Sequence, residues 1–173
     1  ERNYNNPFSS YKNKKPIRYV SLFSGIGAFE VAMRSVLPNA KCLAFAELLE
    51  WKRNIYKKHF PNHPEYDDVK NVPSITADLL VGGPSCKSKS NLAATSKSYL
   101  TEDKSMISLD LLLQVIKRGR YKDVIIENVP GSAASNATSD IIKNELKKYL
   151  HKEIYVNTFN ACPLSGSSRK RTF

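Results

Sequence analysis

Cysteine is scarce in this sequence: only Cys42, Cys86 and Cys162 occur among 173 residues. Their odd number and the lack of any CxxC spacing exclude a disulfide framework and give no sign of a zinc site. His59 and His63 have metal-like spacing, but Pro61 and Pro64 break any helix they could share. Long apolar runs are missing too. Nothing approaches the roughly 20 residues of a membrane span. The opening "ERNYNNPFSSYKNKKP" has no apolar stretch of the kind a secretory signal needs. Residues 1–16 therefore read as a polar, basic arm, and the chain as an intracellular protein of a reducing compartment. No internal repeat is visible. Acidic residues are in short supply, 16 against 27 Lys and Arg, for a net charge of +11. Such an excess points to a polyanionic partner, nucleic acid before an acidic protein.

What is present suits one globular domain with a real core. Strand-like and helix-like stretches alternate. "IRYVSLF" (17–23), "KCLAFAE" (41–47), "ADLLVGG" (77–83), "YKDVIIENV" (121–129) and "EIYVNTFNA" (153–161) read as strands. "GAFEVAMRSVL", "LLEWKRNIYKKHF", "DKSMISLDLLLQVIKR" and "SDIIKNELKKYL" read as helices. The alternation predicts an α/β fold, a parallel sheet with helices on both faces. One long loop, from Pro84 to about Leu100, opens with Cys86.

Six places carry chemistry. Gly25 and Gly27 lie at a strand-to-helix turn, where small residues let backbone N–H groups approach a ligand; a tight turn that merely needs glycine reads as well. Glu47 ends the second strand, 22 positions after Gly25, where a nucleotide-binding sheet puts a carboxylate for ribose hydroxyls. Asp68, beyond the next linker, is placed to reach an adenine amino group. "VIIENV" reads as a buried apolar strand that delivers Glu127 to its C-terminal end, where a carboxyl can give and take a proton. Arg169 and Arg171 alternate along a strand and so share a face. Cys86 follows a Gly-Gly-Pro turn with Lys87 and Lys89 close behind, a setting that favours a thiolate, although a small residue in a polar loop is an equal reading.

Taken in order, these pieces resemble the C5-cytosine DNA methyltransferases. "SLFSGIGAFEVAM" resembles the family's first motif, "AELLEWKRNIYKKHF" its second and "YDDVKNV" its third. "DLLVGGPSCKSKS" is similar to the fourth, "VIIENV" to the sixth and "SSRKRTF" to the eighth. The resemblance runs from Arg18 to Phe173. It implies a Rossmann-like methyltransferase sheet and S-adenosylmethionine as cofactor, with Phe23, Gly25, Ile26, Gly27, Glu47, Leu48, Asp68 and Val69 around it. It implies Cys86 as the nucleophile that attacks cytosine C6, Glu127 at N3, and Arg169 and Arg171 fixing base and loop. The target base would be flipped out of double-stranded DNA.

This sequence departs from the family at Ser85, Lys87 and Lys89 around the cysteine, and at Ser167 before the arginines. The family's target-recognition region and last motifs have no counterpart, so residues 17–173 are expected to be a catalytic core truncated at the start of its last strand. "RKRTF" is expected to lie antiparallel between "VIIENV" and "EIYVNTF". The expected partner is a second subunit that completes a heterodimer. Three alternatives stay open: a catalytically impaired or regulatory relative, a transfer-RNA cytosine methyltransferase, and a nucleoside-binding module without catalysis.

Overall fold

The computed structural model describes residues 15–84, 102–129, 143–144, 146–149, 154–160 and 169–173. The elements alternate as the sequence predicts: β1 (Arg18–Leu22), α1 (Ala28–Val36), β2 (Lys41–Ala46), α2 (Glu50–His59), β3 (Glu65–Tyr66), β4 (Thr76–Gly82), α3 (Glu102–Arg118), β5 (Arg120–Ile126), β6 (Thr158–Asn160) and β7 (Lys170–Thr172). A 3-10 turn, Val69–Asn71, follows β3. The first five strands form one parallel sheet in the order β3-β2-β1-β4-β5. Chain order reverses beside β1, so a crevice opens between β1 and β4 at their C-terminal ends. That is where sheets of this kind take ligands.

Side chains alternate across the strands and build two cores. Tyr19, Cys42 and Phe45 meet Met33 of α1 and Tyr56 of α2, with Phe60 just beyond it. Phe45 stacks on Tyr56 with ring centroids 3.8 Å apart. On the other face Val20, Leu22, Ala44, Ala46 and Leu80 meet Leu109, Leu112, Val115 and Ile116 of α3. The 3.6-residue spacing of the α3 leucines and valine lays them on one stripe toward the sheet. Helices thus cover both faces, as expected. Among the described residues no helix is long and apolar enough to cross a membrane.

Two expectations change. β5 is not a fully buried strand: its exposure alternates and Ile125 is 38% exposed. It is the last strand of the five, and among the described residues no full-length strand pairs with its outer side. Among the described residues of "EIYVNTFNA" the ladder is also shorter than expected: Thr158–Asn160 pair in register with β7, and Asn157 exchanges backbone hydrogen bonds with Phe173. The expected order at this edge does hold. β7 runs antiparallel to β6, and Thr172 bridges antiparallel to Asn128 just past β5. Residues 1–14 of the basic arm and the loop around Cys86 lie outside the described residues.

At the opposite end of the sheet Asp78 of β4 sits between Arg18 of β1 and Lys122 of β5, at 3.3 and 2.6 Å. It also accepts the Arg18 backbone N–H. Lys122 first, then the Arg18 amide, hold its carboxyl well below the usual carboxylate range. A depressed folded pKa stabilises the protein above the unfolded pKa of about 3.9 and loses that contribution as pH falls through the folded value. The melting temperature should therefore fall more steeply on acidification below about pH 4 than that of Asp78→Asn, whose side chain does not titrate. Parallel melting curves over that range check this.

Candidate active site

The C-terminal ends of the parallel strands bring the motif residues to one edge. Leaving β1, the chain turns sharply: Phe23, Gly25 and Gly27 have φ of 55°, 60° and 95°. Glycine adopts such angles freely, whereas the left-handed Phe23 costs on the order of 1–2 kcal/mol. Gly27 is required for space as well. A Cβ there would stand 2.8 Å from the Phe60 ring and 3.2 Å from Tyr56. The turn is pinned by the Ser24 N–H to Ala46 O and the Gly27 N–H to Ser24 O.

Glu47 lies against this turn. Its Oε2 accepts the Gly25 N–H at 2.9 Å and its Oε1 the Leu49 N–H at 3.0 Å, with Lys52 Nζ at 3.9 Å. The carboxylate is buried, yet each oxygen keeps a lone pair for a hydroxyl donor. Ile26 and Leu48 stand open, 49% and 69% exposed. Asp68 spends Oδ1 on the Lys70 N–H and caps the 3-10 turn. Val69 buries its side chain in the core. Asp67, its exposed neighbour, holds Asn71.

The other half of the edge follows β4 and β5. Glu127 N–H donates to Gly82 O, and a Cβ on Gly83 would stand 3.2 Å from Glu127 Oε2. Asn128 Nδ2 donates to Pro84 O at 3.3 Å. The last described residues before Cys86 are thus held by Glu127 and Asn128. Glu127 is not walled in by apolar groups, as the sequence suggested. Its side chain is 39% exposed and pairs with Arg171, Nε to Oε1 at 2.7 Å. Arg171 reaches there because the bridge to Asn128 brings β7 alongside. Arg169 does not join this pair: it is exposed, and its backbone N–H donates to Asn160. Cys86, Ser85, Lys87 and Lys89 lie outside the described residues.

The model of one protein family, the C-5 cytosine-specific DNA methylases, matches residues 17–173. The chain belongs to this family. Among curated relatives of this methylase, the type II methyltransferase M.HhaI of Haemophilus parahaemolyticus is 24% identical over 151 residues, covering 84% of this chain and 44% of that protein. The orphan methyltransferase M.SPRI of Bacillus phage SPR is 31% identical over 122 residues, 66% of this chain and 27% of that protein. The chain therefore spans less than half the length of these relatives. The solved structure of the S. pombe Dnmt2 methyltransferase matches with a TM-score of 0.66 at 18% identity, covering 90% of this chain and 48% of that one. The Entamoeba histolytica methyltransferase EhMeth gives 0.66 at 20% identity, with 92% and 52% covered. At such identities the likeness concerns the fold, a Rossmann-like methyltransferase sheet.

Sequence reasoning missed two supports of the methylase site. Asn128 was seen only as the neighbour of Glu127; its grip on Pro84 needs the two strand ends side by side. The aromatic floor of Tyr56 and Phe60 beneath Gly27 was hidden in a helix pattern, where aromatics read as core.

Proposed function

We propose that this chain is the cofactor-binding and catalytic part of an enzyme that methylates C5 of cytosine in DNA, using S-adenosylmethionine. The observation that carries the proposal is the shared edge: an acid-braced glycine turn after β1 and β2, and a Glu127–Arg171 pair beside the Gly83-Pro84 turn after β4 and β5. The residues present fit the cofactor. Glu47 offers spare acceptor capacity to ribose hydroxyls, the Phe23–Gly27 turn leaves room for close approach, and Ile26 and Leu48 offer apolar surface. Asp68 is free at Oδ2 for an amino group; Val69 contributes through its backbone, since its side chain is in the core.

When bound, S-adenosylmethionine supplies an electrophilic methyl group to a carbon that has been made nucleophilic. The chain's own residues create that carbon. Cys86 stands two residues past Pro84, a reach of about 7 Å at most. Its thiolate adds to C6 of the cytosine, and the electron pair of the C5–C6 double bond passes to C5 while Glu127 donates a hydrogen bond or proton at N3. Arg171 orients Glu127 through their 2.7 Å contact. Once C5 carries the methyl group, loss of its proton to a base re-forms the double bond and expels the thiolate. Arg169, exposed at the same edge, is suited to a phosphate or the base rather than to Glu127. The base must leave the duplex for a thiol to approach its ring.

The relatives' greater length indicates that recognition of a target sequence needs parts beyond those seen here, either continuous with this chain or on a second subunit. Tyr155, Val156, Phe159 and Phe173 are exposed around β6 and β7, with Phe159 and Phe173 in edge-to-face contact, and offer such a part an apolar seat.

Calorimetry tests the cofactor reading. The chain should bind S-adenosylmethionine, and Glu47→Ala should weaken binding by roughly 10- to 100-fold, the worth of hydrogen bonds to a charged group. Equal affinity in both proteins would remove Glu47 from the site. The catalytically impaired alternative predicts that no covalent adduct forms on a 5-fluorocytosine duplex even in a complete assembly. A transfer-RNA substrate is separated from DNA by offering both to that assembly.

A further inference from the structure

β1, α1 and α2 meet around one carboxyl that the chemistry above does not use. Glu30 is 1% exposed. Neither of its oxygens makes a hydrogen bond of full geometry, yet the hydroxyls of Ser21 on β1 and Tyr56 on α2 both face it. Tyr19 of β1 and Cys42 of β2 complete its surroundings. Burial pushes the Cys42 thiol up to about 12 and Tyr19 above its usual range, so neither brings charge near neutrality. Among the described residues no cation is one of these neighbours; burial raises the Glu30 pKa, and the Ser21 hydroxyl, the Glu30 backbone N–H and the Tyr56 hydroxyl work against it.

Both hydroxyls lead to the glycine turn. Ser21 Oγ lies 2.9 Å from Ser24 Oγ, and Ser24 O receives the Gly27 N–H. The Tyr56 ring lies directly beneath Gly27, and its hydroxyl meets His63 Nδ1 at 2.9 Å. His63 stacks on Phe60, the other half of the floor, and burial lowers its pKa. Glu30 thus lies between two short polar chains, Ser24–Ser21 on the side of the turn and Tyr56–His63 on the side of α2.

We propose that Glu30 is a positioning residue: its buried carboxyl draws the Ser21 and Tyr56 hydroxyls together and so holds the Phe23–Gly27 turn against α2. The consequence for cofactor affinity rests on the reading of that turn given above. The hold on the turn itself does not.

Two variants of the full chain, Glu30→Met and Glu30→Gln, separate these points. Hydrogen exchange without ligand reads the turn directly. In Glu30→Met, amides of residues 22–28 should exchange roughly 10-fold faster, the worth of one lost hydrogen bond to a charged group, while α3 is unchanged. Glu30→Gln, whose amide oxygen still accepts, should restore most of the protection. S-adenosylmethionine affinity should follow the same order. It should also weaken in the wild type as acidification protonates Glu30, whose pKa burial raises, since protonation removes an acceptor, and stay flat in Glu30→Gln. Unchanged exchange at 22–28 in Glu30→Met overturns the proposal, as does a Glu30→Gln profile that titrates like the wild type. Failure of the wild type to bind S-adenosylmethionine strikes the cofactor reading instead, and the exchange result still decides the role of Glu30.

Discussion

Cys86→Ala should abolish methyl transfer in the complete enzyme, by about 10⁴-fold or more, while leaving affinity for S-adenosylmethionine unchanged within experimental error. Cytosine C5 is a poor nucleophile until C6 carries an added group, and in the proposed reaction the Cys86 thiol is the group that adds. Alanine leaves only the binding groups, which sit after β1, β2 and β3, on the other side of the crevice from β4. A duplex with 5-fluorocytosine at the target makes the test independent of turnover. Elimination needs a proton at C5, and fluorine cannot leave as a cation, so the thiol stays bound to C6. The wild type should give a complex that survives denaturation and Cys86→Ala none. An adduct formed by the alanine variant would assign the nucleophile to another residue. The local sequence shapes the result. By sequence, Lys87 and Lys89 are expected to favour the thiolate, and Ser85 leaves φ freer than proline would. What steadies the approach is the Asn128 side chain on Pro84 O and the Glu127 backbone on Gly82 O.

Much of this was legible before any coordinates. Alternating β-rich and amphipathic stretches give a parallel sheet, because parallel neighbours need a crossover and the crossover here is a helix each time. The 22 positions between Gly25 and Glu47 were legible as one ligand site for the same reason, since one helix and one strand return the chain to the neighbouring strand end; the contact of Glu47 with the Gly25 N–H at 2.9 Å was not. Other features were not legible, because they depend on strand order and on edges. Nothing in "VIIENV" says that its outer side is open, since an apolar run fits a central or a last strand equally well. Nothing in "RKRTF" says that Arg171, and not Arg169, meets Glu127. That follows from the pairing of Thr172 with Asn128. Nothing in "GAFEVAM" marks Glu30 as buried; its burial depends on α1 turning it toward Ser21 and Tyr56.

Glu127→Gln should slow methyl transfer by roughly 10² to 10⁴-fold, the usual worth of a positioned general acid. Glutamine keeps the shape and can still meet the base, but it cannot pass a proton to N3, so the charge that develops as the thiolate adds is left uncompensated. Arg171→Ala should cost less, because its contribution passes through Glu127: without the 2.7 Å contact the carboxylate samples other rotamers and meets N3 only part of the time. Two residues that act as a unit do not add. The double variant Glu127→Gln with Arg171→Ala should therefore be close to Glu127→Gln alone, whereas independent roles would multiply the two losses. Single-turnover rates on one duplex, with saturating S-adenosylmethionine, give all four corners of the cycle. Full additivity would mean that Arg171 serves the base directly and that its contact with Glu127 is incidental. A wild-type rate in Glu127→Gln would take the proton chemistry away from β5 altogether.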